Sequence, residues 1–389
     1  MTRSVCCTLI ILLAGSGCAP QRDFLPLFNG RDLTGWRIVN TDASTWTVRD
    51  DMIVTSGKPI GELCTTRQYE NYVLEIEWRH MEEGGNAGLF LHSDPLPAVG
   101  QPFTRAIESQ VMDGNHGDVF AIHGATMIPD RPHPEGWMRS LPVEERANPT
   151  GAWNHYRVES RDGTLTLAVN GEVVSGGTEV SPRKGYICLE SEGSEAHFRN
   201  IRLRELPSTN PPPEETADEY DGFVTLYNGV DLSGWRASTR SSWQADDWTL
   251  RSRATEGAHL WTEQDYEDFE LITDYRLECE SDAERVRSAL FLRGETDARL
   301  LVGCRDAIEG EIAGEMPALA VATEEGAGSR GWRRLEVRVV GGRAAVMLDG
   351  AALTESELPP GTPSSGAIGL AGYGADVAFA NLFVKPLTD

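Results

Sequence analysis

The stretch Thr104 to Met112, TRAIESQVM, places a carboxylate and an amide two residues apart. Read as a strand, it turns Ile107 and Val111 to one face and Glu108 and Gln110 to the other. Side by side on a sheet face, these two groups can hold hydroxyls or bind a hard cation through oxygen. The string that follows, Met112-Asp113-Gly114-Asn115-His116-Gly117-Asp118, adds Asp113, His116 and Asp118 in a glycine-rich turn able to fold over Glu108. His92, His116, His123 and His133, half of the chain's histidines, fall between Leu91 and Arg139. Imidazole and carboxyl groups are the usual carriers of protons near neutral pH. Taken alone, these residues read more readily as a half-exposed polar strand and a solvated turn.

The elements that would position them belong to a duplication. LFNGRDLTGWR at residues 27 to 37 returns as LYNGVDLSGWR at residues 226 to 236. The echo continues: Leu89-Phe90-Leu91 matches Leu290-Phe291-Leu292, Asn170-Gly171 matches Asp349-Gly350, and FRNIRLREL from Phe198 matches FANLFVKPL from Phe379. A period this long is a duplicated domain and not a solenoid repeat. Residues 207–221, PSTNPPPEETADEYD, are a Pro-rich acidic linker. The modules therefore run from about 24 to 206 and from about 222 to 389.

Within each module the periodicity is that of strands. Tyr72 to Trp78 and Trp332 to Val340 alternate apolar and polar residues, and Leu165 to Val169 leads into the Asn170-Gly171 hairpin turn. No segment sustains a helical period. Many short strands separated by Gly, Pro and Asp turns predict an all-β chain, an antiparallel sandwich or jelly roll in each module.

The start of the chain reads as an export signal over residues 1–18, with Arg3, an apolar run from Val5 to Ala14, and small residues before Cys18. Cys18 is placed as in a lipoprotein cleavage site, so an exported chain, secreted or lipid-anchored, is expected; ordinary signal cleavage remains the alternative. No later segment is apolar for long enough to span a bilayer as a helix. A formal net charge of −25 repels phosphate backbones and argues against nucleic acid as a partner. Cys64 and Cys188 fall in the first module, Cys279 and Cys304 in the second, with no CxxC pair. One disulfide per module and four separate core thiols are both compatible with that spacing.

In order along the first module stand NGRDLTGW, Asn86-Ala87-Gly88-Leu89-Phe90-Leu91, Glu108-Ser109-Gln110, Gly151-Ala152-Trp153-Asn154-His155-Tyr156, Asn170-Gly171 and Phe198-Arg199-Asn200-Ile201. The set resembles the bacterial 3-keto-disaccharide hydrolase family, also described as 3-keto-glucoside 1,2-lyase and 3-keto-2-hydroxy-glucal hydratase. It covers nearly all of the first module and, more weakly, the second. The resemblance implies two tandem concanavalin A-like antiparallel β-sandwiches and a carbohydrate substrate already oxidised at carbon 3. It also implies cleavage by removal of the acidified proton on carbon 2 and departure of the group on carbon 1. A base is needed, and a cation or hydrogen-bond donors must stabilise the oxyanion.

On that expectation His116, His123 and Glu108 are candidate catalytic groups. Asn86, His92, Gln110, Trp137, Arg139 and Glu190 are candidates for binding the sugar, and Glu192 borders them. Glu108, Gln110 and Asp113 could hold a divalent metal cation. A two-carboxylate hydrolase built on Glu108 and Glu190 is a rival mechanism, and a lectin-like protein without chemistry is a rival function. The first module is longer than the second between Leu91 and Gly151, and module two keeps one histidine, His259. Aligned by eye, Val302 and Cys304 take the places of Glu108 and Gln110, and Arg287 that of Asn86. The second copy is then expected to be structural or binding.

Overall fold

A computed structural model describes residues 23–238, 242–252, 258–277, 286–296, 298–303, 331–373 and 376–387. The export segment with Cys18, and Cys279 and Cys304, lie outside these residues, as does the side chain of Arg287.

Each module is a sandwich of two antiparallel sheets. In module one, seven strands form the sheet that carries Glu108: β1 (Trp36–Val39), β2 (Gly61–Thr65), β3 (Gly88–Ser93), β4 (Ala106–Gln110), β5 (Val119–Ile122), β6 (Arg139–Ser140) and β7 (Tyr186–Ser191). Their spatial order is β6-β5-β4-β3-β7-β2-β1. The facing sheet is centred on Tyr72–His80, flanked by Asn154–Arg161 and Ala196–Glu205. Strand alternation sets the core: Tyr72, Leu74, Ile76 and Trp78 on one sheet meet Leu63, Leu89, Ile107, Ile187 and Leu189 on the other, all fully or almost fully buried. The alternation breaks at His92, where a φ of 53° turns the ring into the core, edge-on to Tyr72.

The repeated opening motif is a turn lock. Asn29 Oδ1 accepts from the backbone N–H groups of Arg31 and Asp32 at 2.7 and 3.0 Å, and Asp32 Oδ1 from that of Thr34 at 2.9 Å. Trp36 Nε1 then donates to Leu27 O at 2.9 Å. Asn228, Asp231 and Trp235 repeat the pattern bond for bond in module two. In the hairpin, Asn170 and Gly171 both take positive φ, 50° and 98°, as a two-residue type I′ turn requires.

Module two pairs an eight-stranded sheet with a five-stranded one made of Trp235–Ala237, Ala258–Tyr266, Gly366–Gly372, Val286–Phe291 and Arg299–Gly303. Its larger sheet turns Ile272 and Phe383 toward module one, where they join Phe90, Phe103, Cys64, Tyr186 and Cys188 in one apolar cluster, with Tyr220 of the linker and Phe223, just after the linker, packed against it. The modules are thus packed together through the outer face of the Glu108 sheet.

Cys64 and Cys188 are direct cross-strand partners on β2 and β7 and form a disulfide, closing a separation of 124 residues. Constraining so long a loop in the unfolded chain stabilises the fold by about 2–4 kcal/mol. Cys64→Ser combined with Cys188→Ser should therefore lower the thermal midpoint by several degrees, and adding reductant should then shift it no further. A midpoint unchanged by the double substitution would contradict the bond.

Candidate functional site

The outer face of the Glu108 sheet gathers most of the candidate groups, and strand register writes it out in rows. One row runs Arg37, Cys64, Cys188, Phe90, Glu108, Phe120, Arg139 from β1 to β6. The next holds Val39, Glu62 and Glu190, with Gly88 and Gln110 on the far side. Gly88 is the gap that lets the acids meet. A Cβ there would lie 2.7 Å from Glu190 Oε2 and 2.9 Å from Glu108 Oε1. The two carboxyl oxygens therefore stand within about 6 Å of each other, closer than an inverting glycosidase needs to seat a water between them.

These acids are buried: Glu62 is 0 %, Glu190 2 % and Glu108 5 % exposed. Loss of solvent holds protons on all three, and repulsion from neighbouring carboxylates adds to it at Glu108 and Glu190. Burial, then the charge of Glu192, pushes Glu108 up to about 8, against the pull of Arg139. Burial also raises Glu190 well above the usual carboxylate range, reinforced by Glu108 and Glu192. Glu62 rises to about 7 through burial, although Thr104 donates to it from its backbone N–H at 2.6 Å and from its hydroxyl at 3.1 Å. Glu192 is raised by burial too. Glu108, Glu190 and Glu192 lie close enough to act on one another's charge, so the three share protons.

Other expected residues join this face. Asn86 donates its amide to Glu192. Arg139 ends the row, ion-paired to Asp118, with its guanidinium 5.4 Å from the Phe120 ring centre and 5.9 Å from that of Trp137. Trp137 is 55 % exposed and lies flat on His133 at 4.7 Å, an aromatic surface open to solvent. Gln110 lies on the face, but its Oε1 accepts from Val111 N at 2.8 Å.

Three expected residues do not join it. His116 stacks on Trp78 at 4.9 Å beside His80. Trp78 belongs to the core of the facing sheet, so His116 sits on the inner side of the sheet whose outer side bears Glu108. Burial, then His80, lowers its pKa to about 4. His92 is a core residue in contact with Ser160 Oγ at 3.2 Å. His123 stacks on Phe103 and lines a cleft of 660 Å³ between the modules with Arg105, Ile272 and Arg334. The expected metal trio is not assembled either. Asp113 lies with His80 and His116, and its Oδ2 accepts from Gly84 N at 2.9 Å. Among the described residues, the set of three acidic, Cys or His ligand atoms lying within 4.8 Å of one another is Glu62, Cys64 and Cys188, and its sulfurs are spent on the disulfide. Glu108, Glu190 and Glu192 do not form such a set, although Glu190 Oε2 is buried without a hydrogen-bond partner.

Sequence reasoning missed Glu62. The signal was present: Glu62-Leu63-Cys64 and Cys188-Leu189-Glu190 are mirror images, and antiparallel pairing of the two sets Cys against Cys and Glu against Glu.

Register also corrects the comparison of the copies. Arg299 opposes Phe291 as Glu108 opposes Phe90, and Leu301 opposes Ala289 as Gln110 opposes Gly88. The counterparts of Glu108 and Gln110 are therefore Arg299 and Leu301, three residues before Val302 and Cys304. Likewise His259 and Ala371 stand for Glu62 and Glu190, and Trp261 over Gly369 replaces the disulfide. All three acids are absent from module two's version of this face.

Protons held this tightly by the folded state fix the sign of a stability effect. The native carboxyls keep protons that the unfolded chain releases above about 4.5, so the stability these groups contribute is fully present below that pH and is lost as pH climbs through 7 to 8. Glu190→Gln removes the repulsion and should raise stability at pH 8 by about 1–2 kcal/mol, a few degrees in Tm. The gain should shrink towards pH 5. Thermal melts of both proteins across this range decide it; a loss of stability at pH 8 would show that the carboxylate is paired.

A model of the 3-keto-alpha-glucoside-1,2-lyase-like domain matches residues 23–204 and again residues 222–385. A 3-keto-disaccharide hydrolase of Bacteroides thetaiotaomicron is 25% identical across 47% of this chain and 78% of its own length. Among solved structures, a putative glycosyl hydrolase from Parabacteroides distasonis is 24% identical, covering 47% of this chain and 94% of that one with a TM-score of 0.38. A carbohydrate binding module from Bacillus subtilis is 14% identical, covering 44% and 96% with a TM-score of 0.33. With matches over both sandwiches, the chain belongs to the 3-keto-alpha-glucoside-1,2-lyase-like family, as two tandem copies of its domain.

Proposed function

We propose that module one cleaves the glycosidic bond of 3-keto-glycosides, with the Glu108–Glu190 pair as its proton-transfer centre. The observation that carries this reading is the meeting of two buried carboxyls over Gly88, where burial, reinforced by the charge of neighbouring carboxylates, keeps one protonated near neutral pH. The substrate's ketone at carbon 3 acidifies the hydrogen on carbon 2. The ionised member of the pair takes that proton and leaves an enolate. The carbon 1–oxygen bond then breaks, and the protonated member gives its proton to the departing oxygen. The products are the free alcohol and a 3-keto-2-hydroxy-glucal, and addition of water to the glucal completes a net hydrolysis. A base and an acid held close with proton affinities near working pH are what such a step requires.

Arg139 and Asn86 supply donors at the two ends of the face, and exposed Trp137 offers a ring for a sugar to stack on. Among the described residues Glu108, Glu190 and Glu192 do not bring three ligand oxygens close enough together to hold a divalent cation, so no step is assigned to one. His116 and His123 have no role in proton transfer on this reading. A lectin-like role is disfavoured, because passive binding gains nothing from acids whose burial weakens the fold.

Purified protein incubated with 3-keto-glucosides should release the aglycone, and Glu108→Gln should lower kcat by roughly 100-fold or more. His116→Ala should keep kcat within about threefold, since it faces the core. Full activity in Glu108→Gln, or loss confined to His116→Ala, would move the centre elsewhere. The dependence of kcat/KM on pH should be bell-shaped, with limbs set by the carboxyl group as a whole. A profile following one group near 6.5 would favour a histidine instead.

A further inference from the structure

The hairpin from Asp94 to Arg105, between β3 and β4, touches both the site and the second module. Its inner end is tied to the site by Thr104, whose N–H and hydroxyl both donate to Glu62. Its tip is held by module two. Asp274 Oδ2 accepts from Gly100 N at 2.8 Å, and Arg334 Nη2 donates to Pro97 O at 2.8 Å. Asn381 Nδ2 donates to Ala98 O and Gln101 O at 3.1 and 3.0 Å. Those three side chains form one unit: Arg334 reaches both oxygens of Asp274 at 2.7 and 2.9 Å, and Asn381 donates to Asp274 at 2.6 Å. Asp274 is fully buried and Asn381 is 2 % exposed. Gly100 has a φ of 64°, and a Cβ there would strike the Trp332 ring at 2.3 Å. Four backbone groups of one short tip are thus satisfied by a desolvated charged network on another module, a costly arrangement to leave half made.

The two copies differ at this network. Register places Glu77, His155 and Asn200 of module one where Asp274, Arg334 and Asn381 stand in module two. In module one those residues line an open surface cleft and hold no loop. Conversely, module two's own counterpart of the hairpin is the shorter segment 292–298, with Leu292 N donating to Ala298 O at 3.0 Å.

We propose that the second module is a clamp on the first module's site: Asp274, with Arg334 and Asn381, holds the 94–105 hairpin over the carboxyl face and so fixes Thr104 on Glu62. Asp274 is a positioning residue, acting through Gly100 and Thr104. The catalytic side of the inference rests on the reading of that face as the reaction centre; the clamp itself does not.

The test uses the full chain with Asp274→Ala, Asp274→Asn and Asn381→Gly, the last keeping the left-handed backbone that Asn381 adopts at a φ of 49°. Amide hydrogen exchange is followed at residues 98–104, beside kcat and KM on a 3-keto-glucoside. Asp274→Ala and Asn381→Gly should each speed exchange at Gly100 and Thr104 by more than about tenfold, while the core strand Tyr72–His80 stays protected. The same variants should lower kcat by roughly 10–100-fold, the cost of a reacting group displaced by about 1 Å. Asp274→Asn, which keeps an acceptor for Gly100, should recover most of both. Unchanged exchange at Thr104 in both disruptive variants, or wild-type kcat despite a freed hairpin, overturns the proposal. Should the wild-type chain release no aglycone while the variants still free the hairpin, the reading of the reaction fails and the clamp stands. If Asp274→Ala does not fold, Asn381→Gly decides alone.

Discussion

The site depends on one unfavourable arrangement: carboxyls crowded together where water cannot reach them. Glu62, Glu108 and Glu190 come from three strands and point the same way because antiparallel register leaves them no other face. Gly88 removes the one side chain that would hold Glu108 and Glu190 apart. Burial raises the proton affinity of each, and repulsion between carboxylates adds to it at Glu108 and Glu190. A sandwich tolerates such a face only if the rest of it is firm. Here the disulfide joins the two strands that carry Glu62 and Glu190, one pair along from the acids themselves. The apolar cluster of Phe90, Phe103 and module two's Ile272 and Phe383 closes the same face further along. Stability elsewhere is what permits destabilising groups to persist at the centre.

How much of this could be read from the chain depends on which physical rule governed each residue. Alternation is local, so the faces of Glu108, Gln110 and the core strands were legible, as was the duplication. The turn residues of the opening motif and of Asn170-Gly171 carry their geometry in their own side chains and φ angles, and were equally readable. Glu62 was hidden because its partners lie far away along the chain, and only pairing of the two mirror-image tripeptides reveals it. The histidines failed for a different reason. Proximity in a glycine-rich loop says nothing about which side of a sheet the loop folds to, and His116 went to the aromatic surface of Trp78, where a neutral ring gains contact. His92 was turned inward by one left-handed backbone angle, a feature without a clear signature in sequence.

The register error in the second copy has the same root. Alignment by eye keeps residue types in view, whereas a sheet keeps hydrogen bonds. A shift of three residues exchanges faces as well as neighbours, so Val302 and Arg299 cannot both stand opposite the counterpart of Phe90. Once pairing fixes Arg299 there, the divergence of the copies becomes chemically coherent. A cation, an imidazole and a methyl group replace the three acids, and the disulfide position is filled by Trp261 packed on Gly369.

The two modules have diverged on opposite faces. The sheet that gathers acids in module one is in module two lined by His259, Trp261 and Phe291, packed edge-on and tilted against one another without mutual charge repulsion. The other sheet shows the reverse. In module one its Glu77, His155 and Asn200 border an open cleft, and in module two the equivalent Asp274, Arg334 and Asn381 are sunk against a partner surface. An aspartate in place of a glutamate, and a guanidinium fork in place of an imidazole, turn a solvated patch into a receptor for backbone groups. A buried charged network of that kind contributes little net stability, because desolvation offsets most of its attraction. What it supplies is a single permitted position for the loop it holds. Rigid placement is what a proton-transfer centre needs from its surroundings.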